Sequence, residues 1–142
     1  MNEPKLQFPV NAAHFIPQQG EMCCIDEIIA SAGISISVTA TLHPKHILLT
    51  QQKVLVRAGF IELAAQSGCA LMGLGQKSNL PATAWLAGVQ NVVIHKDAYE
   101  DDVLLISVSI AHELAEIRVL DFKIATQHQL LASGSLKVFY AQ

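Results

Sequence analysis

The sequence predicts an α+β fold in which a curved, mostly antiparallel sheet wraps around one long central helix. Three observations carry that prediction. Residues 54–76 place Ala58, Ile61, Ala64, Ala65, Gly68, Leu71, Met72 and Gly75 at three- and four-residue steps, the period of a helix. Residues 34–42, 103–112 and 116–125 alternate apolar and polar side chains, the period of a half-buried strand. Short polar turns, not helices, join the strands of the second half, which suits antiparallel neighbours.

The elements follow in order. Residues 1–21 carry Pro4, Pro9, Pro17 and Gly20 without periodicity and read as an N-terminal arm. Residues 22–30 are apolar and β-branched enough for a first strand, and Ser31, Ala32 and Gly33 turn the chain. The second strand, 34–42, sets Ile34, Ile36, Val38, Ala40 and Leu42 against Ser35, Ser37, Thr39 and Thr41, completing a hairpin. A connector over 43–53 leads into the helix. Phe60, Leu63, Cys69 and Leu74 fill positions between its periodic residues, so it is apolar nearly all round and buried on most sides. Asn79 and Pro81 are expected to end it within 77–81. Four strands complete a single domain spanning 1–142: 84–96, 103–112, 116–125 and 130–140. An acidic turn (97–102) and a polar turn (126–129) lie among them.

Composition narrows the function. Apolar residues make up 51% of the 142 and charged residues 15%, which excludes a disordered chain and implies a large core or a core plus a buried subunit face. Nine Lys and Arg against twelve Asp and Glu show no basic stripe, so nucleic acid is not an expected partner. No run of ~20 apolar residues exists for a membrane span, and the N-terminus lacks the basic and apolar regions of a secretion signal. The odd count of Cys23, Cys24 and Cys69 suits reduced thiols, small buried hydrophobes of a cytoplasmic protein. The six histidines are scattered; His43 and His46 share a loop without a carboxylate, so neither metal nor cofactor is expected. Nothing in so small a sheet covers its far side. A second subunit, in a homodimer or a heterodimer, is the expected remedy.

Two motifs carry a resemblance. Ile16-Pro17-Gln18-Gln19-Gly20-Glu21-Met22-Cys23-Cys24-Ile25-Asp26-Glu27 is similar to the Leu-Pro-His-Arg-x-Pro-Met-x-x-x-Asp opening of bacterial 3-hydroxyacyl-[acyl-carrier-protein] dehydratases. Ala58-Gly59-Phe60-Ile61-Glu62-Leu63-Ala64-Ala65-Gln66 is similar to their Gly-x-x-Glu-x-x-Ala-Gln helix. Trp85-Leu86-Ala87-Gly88-Val89 and Tyr99-Glu100-Asp101-Asp102-Val103-Leu104 fit the strand after that helix and the turn before the next strand. From about Ile16 onward the chain resembles these hot-dog proteins, and within them the short dehydratase-like proteins of aryl-polyene clusters. The resemblance implies a hot-dog domain that acts on 3-hydroxyacyl groups carried as acyl-phosphopantetheine on an acyl carrier protein, in fatty-acid or polyketide-type synthesis.

That chemistry needs a base for the proton beside the carbonyl, usually His, and an Asp or Glu that protonates the departing hydroxyl. Donors are also needed for the charge that gathers on the thioester oxygen. Glu62 is the only acid within the predicted helix and answers the second demand; an ordinary solvated Glu is the competing reading. Gln66, one turn on, is placed to hold Glu62 or the substrate, and Gly59 to let a thioester oxygen approach the backbone. The position matching the family's His is Gln18, and Gln has no titratable nitrogen. The resemblance thus leaves Gln18 to bind substrate, with His46 the candidate base and His14 a second. Two further readings stay open: a non-catalytic subunit that binds acyl chains or completes a partner's site, and an acyl thioesterase.

Overall fold

The structure, a computed structural model, describes residues 6–75 and 83–141. The chain runs through β1 (Val10–Asn11), two one-turn 3-10 helices (Ala12–Phe15 and Gly20–Met22), β2 (Glu27–Ala32), β3 (Ser35–Thr41) and α1 (Ala58–Leu74). It continues through β4 (Thr83–Ile94), β5 (Val103–Leu114), β6 (Ile117–Ala125) and β7 (Leu130–Ala141). The described strands form one seven-stranded sheet in the order β1-β2-β3-β5-β6-β7-β4, each neighbour antiparallel. Register shifts interrupt four of the strand pairings, and such bulges add the twist that curls a sheet.

Alternation sets the core. Ile36, Val38 and Ala40 of β3, Leu104, Ile106 and Val108 of β5, and Leu120, Phe122 and Ile124 of β6 are all buried. They stand in register: Ile36 faces Val108, which faces Phe122; Val38 faces Ile106, which faces Ile124. The intervening Ser37, Ser107, Asp121 and Lys123 point away from this core. Against the apolar rows lies α1, with Phe60, Leu63 and Ala64 fully buried. Burying a side chain such as Phe60 or Leu63 is worth about 1.5–3 kcal/mol. Close approach depends on two glycines. A Cβ on Gly68 would come within 2.6 Å of Leu120 Cδ1, and one on Gly73 would collide with the Phe15 carbonyl oxygen.

The four strands after the helix match the sequence expectation within two residues at each end. From Val10 onward the N-terminal segment packs on the domain: β1 pairs with β2, and Ala12 and Ile16 are fully buried. Two expectations need correction. The first hairpin strand starts at Glu27, not Met22, because the Cys24 N–H bonds the side chain of Gln66 on α1. The helix starts at Ala58, not Val54. Val54 bridges Tyr99 and the Leu55 N–H bonds the Ala98 carbonyl, so these residues are held extended. The expected helix end at 77–81 falls outside the described residues, and α1 closes with Gly75 bonded to Met72. Among the described residues no helix is long and apolar enough to cross a membrane.

Candidate functional site

The segment from Phe15 to Met22 runs antiparallel to α1. Its Phe15 end lies against Gly73, and its Met22 carbonyl accepts a hydrogen bond of 2.8 Å from Gln66 Nε2. Asp26 then ties the segment to the hairpin, its N–H on the Thr39 carbonyl and its carboxylate on the Thr41 N–H. That tie leaves the Cys23–Ile25 backbone beside the middle of the helix.

Glu62, Gln66 and Cys69 follow at i, i+4 and i+7, so they share one face of α1. Gln66 is buried and uses both ends of its amide. Its Oε1 accepts from the Cys24 N–H at 2.8 Å; its Nε2 donates to the Met22 carbonyl and to Glu62 Oε1, each at 2.8 Å. Glu62 itself is half-buried. Two thiols register its charge. Burial, then the Glu62 carboxylate, pushes Cys24 up to about 11 against a small lowering by Gln66, and the same two causes push Cys69 up to about 11. Burial also raises Cys23. These thiols stay protonated and are poor nucleophiles.

His46 joins the cluster from the loop between β3 and α1. Its ring is buried, with Nε2 at 3.0 Å from the Cys24 carbonyl and Nδ1 accepting from the Leu48 N–H at 3.2 Å. The structure thus brings Glu62, Gln66 and His46 into one hydrogen-bonded chain through the Cys24 peptide. Gln18 lies along the run between the Phe15 and Met22 contacts, bonded to none of them, and its buried Oε1 has no partner. The approach of a thioester oxygen expected at Gly59 is not offered here: its N–H is bonded to the Val56 carbonyl at 2.7 Å. Its missing Cβ instead makes room for Leu55, whose Cδ1 would stand 2.8 Å away. His14 is exposed in the first 3-10 turn.

Sequence reasoning missed the part played by the Cys24 backbone and by Cys69. Cys69 had a signal, its helical spacing from Glu62 and Gln66. The Cys24 peptide had none, because any residue carries the same N–H and C=O. Two clefts among the described residues, of about 600 and 660 Å³, lie elsewhere, and Glu62 lines neither. One is a trough on the outer sheet face lined by Ser35, Ser37, Ser107 and Ser133; the other lies between Arg57, Lys96 and His128. Among the described residues no group of three His, Cys, Asp or Glu could hold a metal ion.

An antiparallel sheet curled over one buried helix is the architecture of the hot-dog fold among α+β proteins. The architecture is similar to the dehydratase heterocomplex ApeI:P from Xenorhabdus doucetiae, with a TM-score of 0.85 at 16% identity over 94% of this chain and 92% of that one. It is also similar to a hypothetical thioesterase with coenzyme A from Streptococcus pneumoniae (TM-score 0.67, 18% identity, 81% and 84% covered). PaaI from the phenylacetic acid degradation operon of E. coli gives 0.65 at 17% identity, with 83% and 80% covered. At such identities these likenesses speak for the fold. The family model of ApeP-like proteins, described as ApeP dehydratase, matches residues 10–142, and the chain belongs to that family. No curated protein matches it.

Proposed function

We propose that this protein is a dehydratase-like hot-dog subunit that acts on 3-hydroxyacyl thioesters carried by an acyl carrier protein, in fatty-acid or polyketide-type synthesis. The observation that supports the reading is the half-buried Glu62 carboxyl, held in place by the Gln66 amide on the same helix face. A base takes the proton beside the thioester carbonyl, the C–O bond to the hydroxyl breaks, and Glu62 delivers the proton with which the hydroxyl leaves as water. Gln18, with its unpartnered Oε1, is assigned to accept a hydrogen bond from the substrate.

A second subunit fits the same reading. β4 ends the sheet of described strands, so one side of its backbone has no strand partner among the described residues, and it exposes Trp85, Leu86, Val89 and Val93. Another hot-dog chain on this edge, in a homodimer or a heterodimer, would cover those residues. One observation favours the alternative that this chain completes a partner's site without turning over substrate alone: both His46 nitrogens face backbone groups, and Gln18 cannot take a proton.

The test is incubation with hydroxylated and plain acyl thioesters, with and without a hot-dog partner that bears a catalytic His. Water loss from the 3-hydroxy substrates is expected, strongest with the partner, and Glu62→Gln should abolish it while folding normally. Water loss indifferent to Glu62→Gln would remove the proposed site. Release of free thiol from plain thioesters would point to hydrolysis instead.

A further inference from the structure

We propose that His46 is a positioning residue, acting on Glu62 through the Cys24 peptide and the Gln66 amide; its effect on turnover rests on Glu62 being the proton-transfer group. Two successive tight turns place the ring, the His46 N–H on the His43 carbonyl at 2.8 Å and the Leu49 N–H on the His46 carbonyl at 3.1 Å. A backbone N–H only donates, so Nδ1, which receives one from Leu48, carries no proton. A carbonyl only accepts, so Nε2 must be the protonated nitrogen that bonds Cys24. This tautomer leaves no ring lone pair for a substrate proton.

What the ring does is clamp a peptide. His46 holds the Cys24 carbonyl while the Cys24 N–H points at Gln66. That N–H obliges Gln66 to present its oxygen there, which turns its NH2 toward Met22 and Glu62. Reversing the amide would set an oxygen against a carboxylate oxygen and an N–H against an N–H. His46 therefore governs which end of Gln66 meets Glu62, and so where the carboxyl sits. Buried in a well-packed loop, the ring would serve packing equally well without its nitrogens; the Nε2–H bond to Cys24 is what separates the two roles.

The experiment compares His46→Gln, whose amide can still donate to the Cys24 carbonyl, with His46→Leu, which fills space without a donor. Wild type, 15N-labelled, is expected to show His46 as the Nε2–H tautomer. In His46→Leu the Gln66 side-chain NH2 resonances should shift and kcat fall about tenfold with KM changed less than twofold. In His46→Gln both should stay near wild type, kcat within about threefold. An Nδ1–H tautomer would overturn the assignment, as would His46→Leu leaving the Gln66 resonances in place. A loss of 100-fold or more in both variants would make His46 a base instead. If wild type turns nothing over, alone or with a partner, the reading of Glu62 fails, and the tautomer and Gln66 resonances still decide the positioning role.

Discussion

Gln66→Glu is a nearly isosteric change that removes no heavy atom from the core, yet it reverses the polarity of two hydrogen bonds. As a carboxylate, the new side chain could still accept from the Cys24 N–H. Its other oxygen, however, would face the Met22 carbonyl and Glu62 Oε1, each now 2.8 Å from a donor. The introduced carboxyl must therefore have a folded-state pKa above the ordinary value of about 4.3. Protonation offers a way out and caps the cost. Holding the proton at pH 7 costs about 2.7 pH units at about 1.36 kcal/mol each, or about 3.7 kcal/mol. The protonated form regains the Cys24 bond and one of the two donated bonds, and water can serve Met22, which is exposed. We expect about 2–4 kcal/mol of destabilisation at pH 7, a drop of about 5–12 °C in a domain of this size. Since the folded state binds the extra proton more tightly, the penalty is greatest at neutral pH and shrinks as pH falls toward 4.3, by up to about 1.4 kcal/mol per unit. Urea denaturation of both proteins from pH 5 to pH 8 reads this directly. A penalty that is independent of pH, or absent, would refute the orientation of the Gln66 amide.

Other outcomes follow from the same geometry. Gly73→Ala should cost about 2–4 kcal/mol by thermal denaturation, since the obstacle is the Phe15 backbone carbonyl and not a movable side-chain tip. Gly88→Ala, with nothing near its Cβ, serves as the control. Alkylation of Cys24 and Cys69 in the folded chain should rise with midpoints at about 11, and Glu62→Gln should lower both midpoints by removing a nearby charge; midpoints near the ordinary value of about 8.5 would contradict the burial. Isolated wild type should dehydrate 3-hydroxyacyl thioesters slowly, lacking the ~10²–10⁴-fold that a general base contributes, and Gln18→His should raise the rate if Gln18 meets the substrate. Robust turnover unaffected by His14→Ala or His46→Ala would contradict that expectation.

The fold was legible wherever side-chain period reports the environment. In β5 and β6, Leu104, Ile106 and Val108, then Leu120, Phe122 and Ile124, reach the core at every second position, so alternation located both strands closely. The same signal misled at both ends of the first half. Met22–Ile25 is as apolar as a strand, and Cys24 and Ile25 are buried as in one, but the backbone partner of Cys24 is a helix side chain. Val54–Val56 continues the apolar character of α1 while its N–H groups bond Ala98 and the connector loop. Burial and hydrogen-bond pattern usually travel together, and at these two places they part. Hydrophobicity reads only the first.

The site divides along the same line. That Glu62 and Gln66 share a helix face was legible from their i, i+4 spacing, and the family resemblance singled the pair out. Their arrangement was not, because it depends on a peptide 42 residues away in sequence. The His46 ring illustrates the consequence. Its residue type suggested proton transfer, and only the partners of its two nitrogens, the Leu48 N–H and the Cys24 carbonyl, fix which nitrogen holds the proton. A histidine bonded to one donor and one acceptor of the backbone has its tautomer chosen for it and no lone pair left to offer. Residue type names the reactions a side chain could join, and the backbone groups around it remove most of them.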